Sequence, residues 1–281
     1  MVNIPYPPQR QLSVGEVLDL TFRIYRATVG KCLLFAGFGV IAGQLASIYT
    51  LARGRPLLKA TTVQDLIVQL RDPELWALYV VGGVVSALLY AAVLLRQRAM
   101  IGDGAIGGEI AAAARRLPAI IGLGVLVMLG GVALFLPALV TSGALRALLV
   151  LAAIIALCYG IVAVSCAQTI LIIDGAGPAA SLARSWRLTS GSFWRLSVIY
   201  TVGFIILVVL YMVAAAIAGF VAGALGRGDF AIATAFADVV VVALGAFATP
   251  FYGALWLAVL GDLKVRKEGA DLERRISSAT A

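Results

Sequence analysis

Arg23-Ile24-Tyr25-Arg26-Ala27-Thr28-Val29-Gly30 stands immediately before the first long apolar run of the chain. Its frame returns 161 residues later as Arg184-Ser185-Trp186-Arg187-Leu188-Thr189-Ser190-Gly191. The shared pattern is Arg-x-aromatic-Arg-x-Thr-x-Gly, each time ahead of a stretch rich in Leu, Val and Ile. A basic amphipathic segment feeding an apolar one is thus a repeated unit, and such a repeat speaks to architecture before it says anything about activity.

Outward from these two stretches, apolar runs follow one another along the chain. A helix of about 20 such residues crosses a hydrocarbon layer about 30 Å thick. With 62% hydrophobic residues, 13% charged residues and a mean hydropathy of +1.02 over 281 residues, the composition lies outside that of soluble domains. Backbone groups in lipid must bond within their own segment, and the alternating short segments of a barrel are missing, so the runs read as helices. The expected fold is an all-α polytopic membrane helix bundle. It has six spans, near 32–51, 75–95, 119–140, 147–173, 196–225 and 239–260, and three cytoplasmic-side amphipathic helices. These group into three pseudo-repeats, 12–98, 103–173 and 174–262, within a single membrane domain 1–281 that ends in a short tail at 263–281.

Each amphipathic segment has its own signals. Ser13 and Glu16 form a capping box ahead of Val14, Val17, Leu18, Thr21, Ile24, Tyr25 and Thr28, with Glu16, Asp19, Arg23 and Arg26 opposite. Gly177-Pro178 opens the third segment, where Ala179, Leu182, Ala183 and Trp186 make an apolar stripe opposed by Ser181, Arg184 and Arg187. The middle segment, 107–117, carries Glu109 and Arg115-Arg116, and Pro118 is expected to close it.

Charge sets the orientation. The four segments on the side of the N-terminus hold 16 of the 22 Lys and Arg residues, so both termini are expected in the cytoplasm of a bacterial inner membrane. The net charge of +8 sits at the ends of apolar runs, which points to lipid headgroups and away from nucleic acid. Arg23, Arg26, Arg115, Arg116, Arg184 and Arg187 are the candidate headgroup contacts, because a guanidinium fork matches a phosphate. The same arginines also fit a plainer reading: they enforce orientation, or pair with Asp19, Glu109 or acids of the tail.

Asp238 and Gln168 are the candidates for a transport pathway, since an intramembrane polar group is a functional suspect. Asp238 equally fits an outer-interface cap, and Gln168, with Ser165 and Gln44, fits interhelical hydrogen bonding. Pro137 and Pro250 are expected to kink their spans, and Gly122, Gly124, Gly130 and Gly131 to pack the third span closely. Cys32, Cys158 and Cys166 lack metal-ligand spacing and read as small hydrophobes. The chain has no histidine, phosphate loop or nucleophile elbow, which removes the usual catalytic constellations. No enzyme activity, cofactor or metal is expected.

Three stretches carry a resemblance. They are Leu12-Ser13-Val14-Gly15-Glu16-Val17-Leu18-Asp19 leading to Arg23-Ile24-Tyr25-Arg26, then Ser181-Leu182-Ala183-Arg184-Ser185-Trp186-Arg187-Leu188, and last Asp262-Leu263-Lys264-Val265-Arg266-Lys267-Glu268-Gly269-Ala270-Asp271-Leu272. In this order they resemble a bacterial multispan family labelled after the membrane domain of some glycerophosphoryl diester phosphodiesterases. The catalytic part of those enzymes is a separate domain that needs histidines and acids, so the resemblance implies a membrane module and carries no hydrolase activity with it. The expectation is a non-enzymatic scaffold or accessory subunit working with lipids and with a protein partner or a second copy. The alternative is a small-molecule or lipid transporter.

Overall fold

A computed structural model of the chain describes residues 6–53, 71–102, 107–226 and 230–269, and side chains at all of these except 222, 224–226, 230–235, 237 and 238. The elements are α1 (Val14–Gly43), α2 (Leu45–Ala52), α3 (Pro73–Ile101), α4 (Glu109–Leu139), α5 (Gly143–Val164), α6 (Ala167–Asp174), α7 (Pro178–Thr189), α8 (Phe193–Gly226) and α9 (Phe230–Glu268). No strand occurs among the described residues. Six stretches are long and apolar enough to cross a membrane: one each in α1, α3, α4, α8 and α9, and one formed by α5 with α6. The protein is an all-α, multi-pass membrane helix bundle.

Local chemistry starts these helices. Ser13 Oγ accepts the Glu16 N–H at 3.3 Å while Glu16 Oε2 accepts the Ser13 N–H at 2.7 Å, which closes the capping box. Asp72 caps α3 by accepting the N–H groups of Glu74 and Leu75, with Pro73 in the first turn. Gly177 and Pro178 open α7.

The amphipathic segments are built differently from one another. Only α7 is a helix of its own. The first segment is the lower half of α1, which runs unbroken for 30 residues, or about 45 Å at 1.5 Å per residue. Nothing from 28 to 31 interrupts its hydrogen-bond ladder, and the chain bends instead at Gln44, between α1 and α2. The second segment is the first part of α4, which passes through Pro118 to Leu139. Pro118 was expected to close that helix. It deletes a single donor, the remaining ladder holds the axis, and Pro137 and Pro250 likewise lie within continuous helices.

α1, α3 and α9 form the centre, with α9 the most buried span and α4, α5–α6 and α8 the least. The packed core gathers toward one end of the bundle, where Val17 and Ile24 of α1 meet Leu94 of α3, Leu171 of α6, Leu196 of α8 and Leu257, Leu260 and Leu263 of α9. Ion pairs and hydrogen bonds join residues of 6–13, 174–195 and 262–269 there, and Arg96 to Glu109 beside them, and we call this the basic end. The described beginning and end of the chain therefore share one side, as an even number of crossings requires. Away from the basic end the helices expose large apolar side chains, among them Phe38, Val125, Leu148, Ile155 and Phe204, as lipid-facing surface does.

The closest helix approach is also placed differently. Gly124, Gly130 and Gly131 face open space, and a Cβ on Gly122 would meet only the Pro178 ring at 3.4 Å. The third span sits on the rim, so its glycines have no partner backbone to approach. Gly82 is where backbone meets backbone: a Cβ there would collide with the Ala42 carbonyl, which sets the α1–α3 crossing.

Candidate functional site

Two polar places bear on function, a charged layer at the basic end and a cleft between spans. The charged layer exists because α9 continues to Glu268, burying Leu257, Leu260 and Leu263 on one face and carrying Asp262 into the interior with them. Asp262 has no exposed surface. Its Oδ1 accepts the Leu12 N–H at 2.8 Å, and its Oδ2 accepts Arg195 Nη1 at 2.7 Å and Arg266 Nε at 2.9 Å. The same two arginines donate to the Leu12 carbonyl, and Arg266 also donates to Gln11 Oε1. One carboxylate thus joins the N-terminal segment, the start of α8 and the end of α9.

A second node lies beside it. Asp174, at the end of α6, accepts Arg184 Nη1 at 2.7 Å and Lys264 Nζ at 2.8–2.9 Å, while Glu268 takes the other edge of Arg184 in two bonds of 2.7 Å. The Glu268 carboxylate holds the Arg184 pKa above its ordinary value, which keeps the side chain cationic. A third node pairs Arg96 with Glu109 at 3.0 Å, and Arg96 also donates to the Lys31 carbonyl and lies 4.2 Å over the Phe35 ring.

The six candidate headgroup arginines separate. Arg23, Arg26, Arg115 and Arg187 are exposed. Arg184 pairs with Asp174 and with Glu268, an acid near the tail as the plainer reading has it, both brought to it by the α6–α7 turn and the length of α9. Arg116 is half-buried, and its Nη1 is buried without a hydrogen-bond partner.

α7 also presents the face opposite to the one its apolar stripe suggests. Ser181, Ser185, Leu188 and Thr189 are buried, whereas Ala179, Ala183 and Trp186 are exposed. The cause is the break at 165–166 between α5 and α6. The Ala163 carbonyl there accepts from Ser185 Oγ at 2.8 Å and Thr189 Oγ1 at 3.1 Å, so the hydroxyl face must turn inward. Trp186 faces out and packs edge-on against Tyr159. Its counterpart in the first unit, Tyr25, packs on Phe251 instead.

The cleft is a cavity of about 470 Å³ between α1, α3, α6 and α9. Gly39 and Gly43 of α1, Tyr90 and Ser86 of α3, Gln168 of α6 and Thr249 of α9 line it. Thr249 bonds within its own helix, to the Gly245 carbonyl at 2.8 Å. Of the transport candidates, Gln168 is in this cleft, and its amide is aimed at no protein group among the described residues. Ser165 meets Tyr200 across helices at 2.9 Å. Asp238 lies in α9, and its side chain falls outside the described residues.

Sequence reasoning missed two buried groups. Gln97 has no exposed surface and donates from Nε2 to Thr28 Oγ1 at 3.1 Å and to the Pro250 carbonyl at 2.8 Å. Its position directly after Arg96 suggested the end of a span, which hid it. Asp262 was legible in principle, as a lone acid between Leu260 and Leu263 with Arg266 four residues on. Among the described residues, no three Cys, Asp or Glu side chains gather in metal-binding geometry. Comparison with protein-family models, with curated proteins and with solved structures yields no match.

Proposed function

We propose that the chain is a non-enzymatic membrane subunit that scaffolds or assists a membrane assembly, held in a bacterial inner membrane with both termini in the cytoplasm. One observation carries this reading: the acids of the basic end, of which Glu109 and Asp262 are buried, are bound to the chain's own arginines, lysine and backbone, in a clamp that makes a rigid base. From that base α4, α5 and α8 carry their apolar faces outward, where lipid or the span of another subunit can lie against them. The excess of basic residues on the clamped side supports the cytoplasmic placement. The likeness to the phosphodiesterase-associated membrane family supports a module that works beside a catalytic or transport partner.

The test is photo-crosslinking in native membranes from positions 148 and 155 on α5, followed by mass spectrometry. A discrete protein adduct is expected, and lipid adducts alone would count against the scaffold.

A second reading, small-molecule or lipid transport, is favoured by one specific observation, the free amide of Gln168 in the intramembrane cleft. Flux through proteoliposomes should then fall in Gln168→Leu. Equal flux in Asp238→Asn and the unaltered chain would remove Asp238 from the pathway.

A further inference from the structure

A second cavity, of about 560 Å³, opens at the basic end between the N-terminal segment and the last turns of α3 and α6. Tyr6, Arg98, Gly102, Asp174 and Lys264 contribute to its wall. Two features set it apart from the clamp nodes beside it. The Tyr6 hydroxyl is buried and has no hydrogen-bond partner. The Arg98 guanidinium lies 4.7 Å from the Tyr6 ring centroid and has no carboxylate within ion-pair distance among the described residues.

A buried phenol hydroxyl and a guanidinium without a carboxylate, side by side in one wall, call for an acceptor. The charge of the groups fixes its sign. In the wall Arg98 and Lys264 outnumber Asp174, whose oxygens are already taken by Lys264 and Arg184. A cation would meet two like charges, and an apolar ligand would leave the phenol and guanidinium unpaired. Burial raises the Tyr6 pKa, so the hydroxyl remains a donor. The height is also informative, because this layer is where the spans leave the hydrocarbon and headgroup phosphates lie.

We propose that this cavity binds a phosphate-class anion, held by Arg98 and the Tyr6 hydroxyl with Lys264 at its edge. The phosphate can come from a lipid headgroup or from a soluble phosphate, since the chemistry recognised is the same. The clamp's own acids and bases stay paired when it binds, so the site is separate from the scaffold contacts of the apolar faces.

The experiment uses the full chain in nanodiscs of phosphatidylcholine alone or mixed with phosphatidylglycerol, read by native mass spectrometry, and in detergent titrated with inorganic phosphate by calorimetry. Retention of phosphatidylglycerol over phosphatidylcholine assigns the site to a lipid, and phosphate binding in detergent assigns it to a soluble anion. In either case Arg98→Gln should weaken binding about tenfold or more, the range for a lost charge-assisted bond. Tyr6→Phe, which keeps the ring on Arg98 and removes only the hydroxyl, should weaken it by a smaller factor, and Lys267→Gln, exposed at the same end, should bind as the unaltered chain does. If Arg98→Gln loses its cooperative melting transition, Tyr6→Phe decides. Absence of both kinds of binding, or binding by Tyr6→Phe and Arg98→Gln equal to that of the unaltered chain, overturns the proposal.

Discussion

Replacing Asp262 by Ala tests the clamp at its centre. The substitution removes the acceptor of three bonds, one from the Leu12 N–H and one each from Arg195 and Arg266, at 2.7–2.9 Å. Removing one partner of a fully buried ion pair costs about 3–5 kcal/mol, chiefly because the surviving charge is left uncompensated. Here the carboxylate is 1% exposed while the arginine side chains are 21% and 26% exposed, so water reaches the orphaned guanidinium groups. That solvation trims the expected loss to about 2–4 kcal/mol. At about 2–4 °C per kcal/mol the apparent melting temperature in detergent should fall by roughly 5–15 °C. Asp262→Asn keeps an acceptor for Leu12 and should fall by less. Arg195→Ala and Arg266→Ala should each be milder again, since the other arginine still faces the carboxylate, and the pair should couple in a double-mutant cycle. The N-terminal segment is held through Leu12 on both its N–H and its carbonyl, so limited proteolysis near 6–13 should accelerate in step. A melting temperature for Asp262→Ala within about 1 °C of the unaltered chain, with proteolysis unchanged, would refute the clamp.

Three further outcomes follow from the packing. Gly82→Ala places a methyl group on the Ala42 carbonyl and should cost about 1–3 kcal/mol, whereas Gly83→Ala, with nothing within 4 Å, should be close to neutral; thermal melts of the two separate them. Gln97→Leu replaces a buried amide whose Oε1 is unpaired by an apolar group of similar size, and Thr28 keeps its bond to Ile24. It should therefore melt within about 1 kcal/mol of the unaltered chain, while Gln97→Ala, which opens a cavity, should lose about 2 kcal/mol or more. Ser185→Ala combined with Thr189→Val strips both hydroxyl donors from the Ala163 carbonyl and should cost about 1–3 kcal/mol, seen as a lower melting temperature and faster proteolysis around α7. A null result in that double variant would mean the break at 165–166 satisfies itself.

The membrane class, the helical state and six of the spans are legible along the chain because they depend on local quantities. Run length against bilayer thickness and the need to bond backbone within each segment can be summed residue by residue. The Ser13–Glu16 cap and the Gly177-Pro178 opening are equally local, and they stand where the chain spells them. The site is only partly legible. Gln168 is recognisable as a polar group within a span, but the cavity it lines is formed by residues of three other helices.

What tertiary structure alone decided are the matters that depend on a neighbour. Whether the first amphipathic segment lies in the membrane plane or runs on as α1 depends on whether α9 and α3 offer it a wall to pack on, and they do. Which of two adjacent glycines touches, which face α7 turns inward, and which carboxylates Arg184 pairs with are settled by atoms 10 to 84 residues away along the chain. Periodicity assigns a residue to a face, but the partner chooses the face. Here a broken helix needed hydroxyl donors, and an acid buried at 262 needed two arginines and the backbone of Leu12.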